Sequence, residues 1–365
     1  MFTRRQFFTR AGILSLGVGG SALALSGDGP DALPDGSAAR GMITPQAEQA
    51  IERGLAYLSA KRHADGSFGT NQYLGNVAVT SLAALAFMAA GHQPGRGAYG
   101  QVVTNALKAV LAKEDRRFNN GAGGYLLSQN TPHGPMYGHG FGTLFLAEAC
   151  GMVPDPKLRE DVHQALRRAV AVIVKSQNVE GGWRYTPQSR DADISVTICQ
   201  IMALRAARNA GIFVPKECVD KCVAYVKRCQ DLREGWFRYQ AQGGGGPHQA
   251  FARTAAGVCA LYSAGIYKGP EIDAGLKYLM QYKPNGNWVP RHDMHYFYGH
   301  YYAAQVMWTA GGDYWAQWFP AIRDELIARQ QPQGNWQDMI CHHYGTAMAC
   351  IILQIPNNYL PILQK

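Results

Sequence analysis

The stretch QNVEGGW, Gln177 to Trp183, is where the reading of this chain begins. A glycine followed closely by an aromatic ring separates a polar, amphipathic run from an apolar one. The same punctuation returns at Phe68 (GSFG), Tyr125 (GGY), Trp236 (EGW), Trp288 and Trp336 (both GNW), at intervals of 48 to 58 residues. Six occurrences at near-constant spacing mark six copies of one supersecondary unit.

Each copy has the same grammar. Ahead of the turn lies an amphipathic helix, as in TPQAEQAIERGLAYLSAK (Thr44 to Lys61), where Thr44 is placed to cap and Pro45 to open the helix. Behind it lies a helix apolar nearly all round, as in NVAVTSLAALAFMAA (Asn76 to Ala90) or YGTAMACIILQI (Tyr344 to Ile355). An amphipathic helix beside an all-apolar one implies an outer helix shielding an inner one. Strand-like alternation is scarce, so the chain reads as all-α. Periodicity alone does not decide between an open solenoid and a closed ring.

Three of the turns, Gln177 to Trp183, Gln281 to Trp288 and Gln331 to Trp336, resemble the QW motif of squalene and oxidosqualene cyclases and of protein prenyltransferase β subunits. The units at Phe68, Tyr125 and Trp236 fit it more loosely. The resemblance runs from Thr44 to Pro356 and implies an (α/α)6 toroid, six inner helices around a central cavity and six outer ones around them. Fold alone does not assign activity. The turn aromatics themselves are expected to serve packing.

The rest of the chain frames this toroid. Arg4, Arg5 and Phe7 precede a short apolar run ending at Ala22-Leu23-Ala24, which reads as a twin-arginine export signal over residues 1–24. Residues 25–43 read as a flexible linker and 44–365 as the toroid. The expected location is the periplasm, or the outer side of the inner membrane. The formal charge is +9, and residues 1–24 carry three arginines and no acids, so removing them leaves +6. That balance suits an anionic ligand, while nothing in the pattern points to nucleic acid. No obligate protein partner is evident. No CxxC spacing occurs among the eight cysteines; Cys218, Cys222 and Cys229 share one helical stripe and read as buried thiols.

Chemistry gathers in RHDMHYFYGHYY, Arg291 to Tyr302, just behind the fifth turn. Eight of the eleven histidines lie between a turn and the early part of an inner helix, which a ring would bring to one mouth. Three chemistries compete there. Asp293-Met294-His295 resembles, with His for Cys, the zinc-binding pair of protein prenyltransferases, and His343 (or His342) stands where a later ligand is expected. Zn²⁺ held by Asp293, His295 and His343 would keep one coordination position open. The second chemistry is that of class II cyclases, whose D-x-D-D acid protonates an alkene. DADI, Asp191 to Ile194, lacks the last aspartate, leaving Asp193 as a lone acid or as the cap of the third inner helix. His139 and Tyr298 are the expected cavity-facing acid/base groups. The ligand expected on these grounds is apolar or isoprenoid-like. The third chemistry is that of glycosidases or polysaccharide lyases, with no carboxylate pair fixed by the sequence. A non-catalytic scaffold stands beside these. The glycine loop QAQGGGGPHQAFAR, Gln240 to Arg253, reads as either a lid over the mouth or a slack turn.

Overall fold

The computed structural model describes residues 37–128, 131–247, 250–284 and 295–364. Twelve α-helices alternate between two kinds among these residues. Helices α1 (Pro45–Lys61), α3 (Gly100–Leu111) and α5 (Pro156–Ser176) bury a single stripe. So do α7 (Lys216–Cys229), α9 (Pro270–Met280) and α11 (Gly312–Arg329). Helices α2 (Val77–Ala89), α4 (Pro135–Ala149) and α6 (Ile194–Asn209) are buried nearly all round. The same holds for α8 (Phe251–Ser263), α10 (Tyr296–Ala310) and α12 (His342–Gln354). Each even-numbered helix packs against its even-numbered neighbours, and α12 packs back onto α2. Six hairpins thus close into an all-α (α/α)6 toroid. A two-residue antiparallel pairing, β1 (Glu114–Asp115) with β2 (Tyr125–Leu126), sits in the second turn.

The turns explain the motif. In the five described turns one glycine (Gly66, Gly124, Gly181, Gly235 or Gly334) has φ between 85° and 95°. Each lies against the backbone of the next outer helix around the ring, where a Cβ would stand 2.1 to 2.7 Å from it. Only glycine tolerates both conditions. Two residues on, a fully buried side chain donates its backbone N–H to an inner helix. Phe68, Trp183, Phe237 and Trp336 donate to Thr80, Thr197, Thr254 and Thr346, at 3.0 to 3.1 Å. Leu126 donates to His139 instead, at 3.2 Å. The buried position in the second and fourth turns is therefore Leu126 and Phe237, one residue beyond the rings at Tyr125 and Trp236, which is why those units look loose as text.

Glutamine stitches one repeat to the next. The Gln177 amide donates to Gly181 O and to Cys218 O on α7, both at 2.8 Å. Gln230 does the same with Gly235 O and Glu271 O on α9. In the last repeat the stitch is Gln330, not Gln331: it donates to Gly334 O and to Ala50 O on α1, both at 2.8 Å, and so ties the end of the ring to its beginning. Trp183 and Trp336 are fully buried, their indole N–H groups donating to Ile173 O and Leu326 O. Packing is their role.

Thr44 caps α1 through Ala47 N. Just ahead of it, Ala38 O and Met42 O accept hydrogen bonds from Trp315 and Arg323 of α11, so the end of the segment read as linker is tied to the ring. Cys218, Cys222 and Cys229 lie buried on one face of α7 as free thiols. Residues 1–24, read as the export signal, lie outside the described residues.

Candidate functional site

All six inner helices begin at the same pole, and a cavity of about 190 Å³ opens there. Every inner helix lends it a residue from its first or second turn: Val79, Phe141, Ser195, Arg253, Tyr298 and Tyr344. Connecting segments complete the wall with Tyr73, Tyr239, Met339 and Ile340. Caps fix where the helices start. Asn76 Oδ1 accepts from Ala78 N and Val79 N, and Asp193 Oδ1 accepts from Val196 N at 2.8 Å.

The wall is apolar and rich in tyrosine. Tyr298 donates its hydroxyl to Ser195 O at 2.7 Å. Tyr73 OH is hydrogen-bonded to His133 Nδ1, and Tyr239 OH to Tyr185 OH. The Arg184 guanidinium lies over the Tyr185 ring at 4.4 Å and the Tyr239 ring at 5.2 Å. Burial first, then the nearby Asp193 charge, hold the Tyr137 phenol far above its ordinary range. Burial likewise raises Tyr73, Tyr239 and Tyr298, so these lining phenols present ring faces and hydroxyl dipoles.

The one permanently charged side chain among the described wall residues is Arg253. No Asp or Glu lines the cavity among the described residues, whereas Arg253, His133 and His295 do. Arg253 Nε donates to Phe237 O at 3.1 Å and an Nη to Gly246 O at 2.9 Å. It forms no ion pair among the described residues, and burial draws its pKa below the usual guanidinium range. The glycine loop folds onto it, since a Cβ at Gly245 would stand 2.7 Å from the guanidinium. A half-buried cation without a carboxylate partner is costly to hold, and an anionic ligand relieves that cost.

The residues read as site candidates scatter. Tyr298 and His295 line the cavity. His139 does not: its Nδ1 accepts from Leu126 N, its Nε2 bonds Ala169 O at 3.1 Å, and burial draws its pKa down to about 4. It replaces the threonine of the other turns, which corrects its reading as a cavity-facing acid/base group. Asp193 is fully buried behind the wall, with Oδ1 capping α6 and Oδ2 3.0 Å from Arg184. Burial outweighs that pairing and raises its pKa to about 6. Both oxygens are occupied, so capping, and not proton delivery, is its geometry.

The zinc expectation fares differently at each ligand. Asp293 lies outside the described residues. His343 packs among Tyr57, His63 and Phe68, and its Nδ1 accepts from Gly69 N at 2.8 Å. That bond places the ring proton on Nε2, leaving neither nitrogen with a lone pair for a metal. His343 therefore does not fit a zinc ligand, and among the described residues no cluster of three His, Cys, Asp or Glu is placed to hold a metal. The Tyr73–His133 pair, Tyr239 and Arg253 were not picked out as site residues. Their shared signal is position, between a turn and the second turn of an inner helix.

No family model matches the chain, and no curated protein matches it. Solved structures do. Cellobiose 2-epimerase from Bacillus thermoamylovorans B4167 superposes with a TM-score of 0.59 at 11% identity, over 86% of this chain and 99% of that one. The type II terpene cyclase MstE from Scytonema, in complex with geranylgeranyl dihydroxybenzoate, gives 0.56 at 12%, over 87% and 98%. The GH76A α-1,6-mannanase from Salegentibacter sp. HEL1_6 gives 0.55 at 9%, over 84% and 98%. The likeness is one of fold. This toroid has the architecture shared by terpenoid cyclases, an epimerase and a glycosidase, and such low identity carries no residue roles between them.

Proposed function

We propose that the toroid binds an apolar, isoprenoid-like ligand carrying an anionic end, in an exported protein. The observation that supports this most is the wall itself: hydrophobic groups and tyrosines around the space, Arg253 at its edge, and, among the described residues, neither an ion pair to that arginine nor a carboxylate in the lining. A glycosidase needs two carboxyl groups facing the scissile bond, so the glycosidase form of the carbohydrate reading has no counterpart in the described wall; the lyase form, which needs only a base, is left to the test below. About 190 Å³ is modestly more than a cavity that accepts benzene, so it suits the apolar end of a longer molecule.

The test is to purify the protein natively, extract it with organic solvent and identify what is released by mass spectrometry, beside an Arg253→Ala variant. An amphiphile with a carboxylate or phosphate is expected from the wild type, with at least tenfold less from the variant. Extracts empty of lipid, together with binding on a glycan array, would overturn the reading.

A further inference from the structure

The opposite pole is closed by the chain's own end. After α12 the segment Ile355 to Gln364 runs across the ring, with Leu360, Ile362 and Leu363 buried. Its hydrogen bonds go to four inner helices. Asn357 donates to Ala89 O of α2, and Ile362 N to Glu148 Oε2 of α4 at 3.2 Å. Arg205 of α6 donates to Gln364 O at 2.7 Å, and Trp308 of α10 to Leu363 O at 3.0 Å. Beneath it remains a void of only about 10 Å³, lined in part by Met202, Gln305, Ile362 and Leu363.

A chain of side-chain contacts links that void to the cavity. Phe141 lines the cavity, and Tyr301 packs edge-on against it at 6.2 Å between centroids. The Tyr301 hydroxyl points to Met202 Sδ at 3.8 Å, and Met202 lines the void. We infer that the C-terminal segment is a stopper that sets the depth of the ligand cavity, bracing its floor through Met202 and Tyr301. This rests on the ligand reading above and adds what limits ligand length. Methionine is well suited to yield at such a point, being unbranched and adaptable.

The latch has a chemical bias. Glu148 is fully buried under the segment and burial raises its pKa to about 8, a backbone bond from Ile362 and the Arg205 charge opposing this only in part. The ionisable groups facing this spot are Arg205 of α6 and Tyr301 of α10, with Cys259 of α8 facing Arg205. With the segment lifted, Arg205 loses its carbonyl partner and the carboxyl meets water, so its pKa falls toward the ordinary value. The docked state thus binds the proton more tightly. Its stability is full below the ordinary glutamate pKa, declines as pH rises, and this contribution is lost through about pH 8.

The experiment measures the affinity of saturated fatty carboxylates of increasing length by calorimetry. It compares the wild type, Met202→Ala and a chain ending at Asn357; Met202→Ala keeps the test valid should the truncation fold poorly. Each added methylene should tighten binding about fourfold until the floor is reached. In both variants the gain is expected to continue for about two to four further carbons. The wild-type break point should also lengthen between pH 6.5 and pH 9, and stay fixed in Glu148→Gln. Binding with one break point in all proteins and at both pH values would overturn the stopper alone. No binding to any chain length would overturn the ligand reading, and the stopper with it.

Discussion

The second and third turns build the same joint from different chemistry. In the third, Gln177 bridges Gly181 O and α7, and Thr197 receives the N–H of Trp183. In the second, the bridge is an ion pair: Glu114 accepts from Gly124 N at 2.9 Å and from Arg168 of α5 at 2.6 and 2.8 Å. His139 stands in for the threonine, and Leu126 for the tryptophan. What the two share is a glycine pressed onto the next outer helix. The joint is therefore defined by backbone geometry, and side chains are interchangeable solutions to the same set of unpaired polar groups.

If so, the two turns should fail alike when the glycine is changed. Gly124→Ala and Gly181→Ala each force a Cβ to within 2.5 and 2.3 Å of neighbouring backbone at positive φ. Each is expected to cost on the order of 4 kcal/mol in denaturant unfolding; a mild effect at either site would break the equivalence. The ion pair should separate the turns next. Glu114→Gln should cost about 2 kcal/mol, below a fully buried pair because the Arg168 side chain is 37% exposed. Burial alone would raise the Glu114 pKa, but Arg168 prevails and lowers it. Its stabilisation is thus present above the ordinary glutamate pKa and lost as pH falls through the depressed one. Gln177→Glu should show the opposite dependence: its carboxylate would face the two carbonyl oxygens to which the amide donates, so its pKa is raised and stability is lost as pH rises. The smallest effect at neutral pH is expected from His139→Thr, within about 1 kcal/mol, since it restores the residue of the other turns. Its signature is in acid. A histidine held near pKa 4 in the fold makes the wild type lose up to about 3 kcal/mol as pH falls from 6.5 to 4. The variant should lose less, while His300 and His343, similarly depressed, keep part of the slope.

This comparison also explains what could be read in the sequence. Six repeats, two kinds of helix and their order were legible because helical periodicity and a glycine-aromatic turn are local signals, and three turns share one chemistry. Ring closure came only through resemblance, since a glutamine at position 330 carries no mark that its partner is Ala50. The histidines misled for a related reason. Their clustering behind the turns was real, but turns are also where backbone donors need acceptors, and His139 and His343 each spend a ring nitrogen on a backbone N–H. Which side of an inner helix faces the axis is decided by packing against both neighbours, so the sequence could not separate Tyr298, which lines the cavity, from His139, which does not. Arg253 was visible only as the end of a glycine loop; that it has no countercharge among the described residues is a statement about many segments at once.

The parallel start of the six inner helices has an electrical consequence. Each helix N-terminus carries the equivalent of about half a positive charge, from backbone N–H groups pointing out of its first turn. Six of them circle one small mouth, while the outer helices bring their negative ends to the same pole at a larger radius. The field is thus positive on the axis and fades quickly away from it. The anionic end of the ligand proposed above would feel little at a distance and a strong pull once centred, so for that ligand the backbone itself would favour entry end-on.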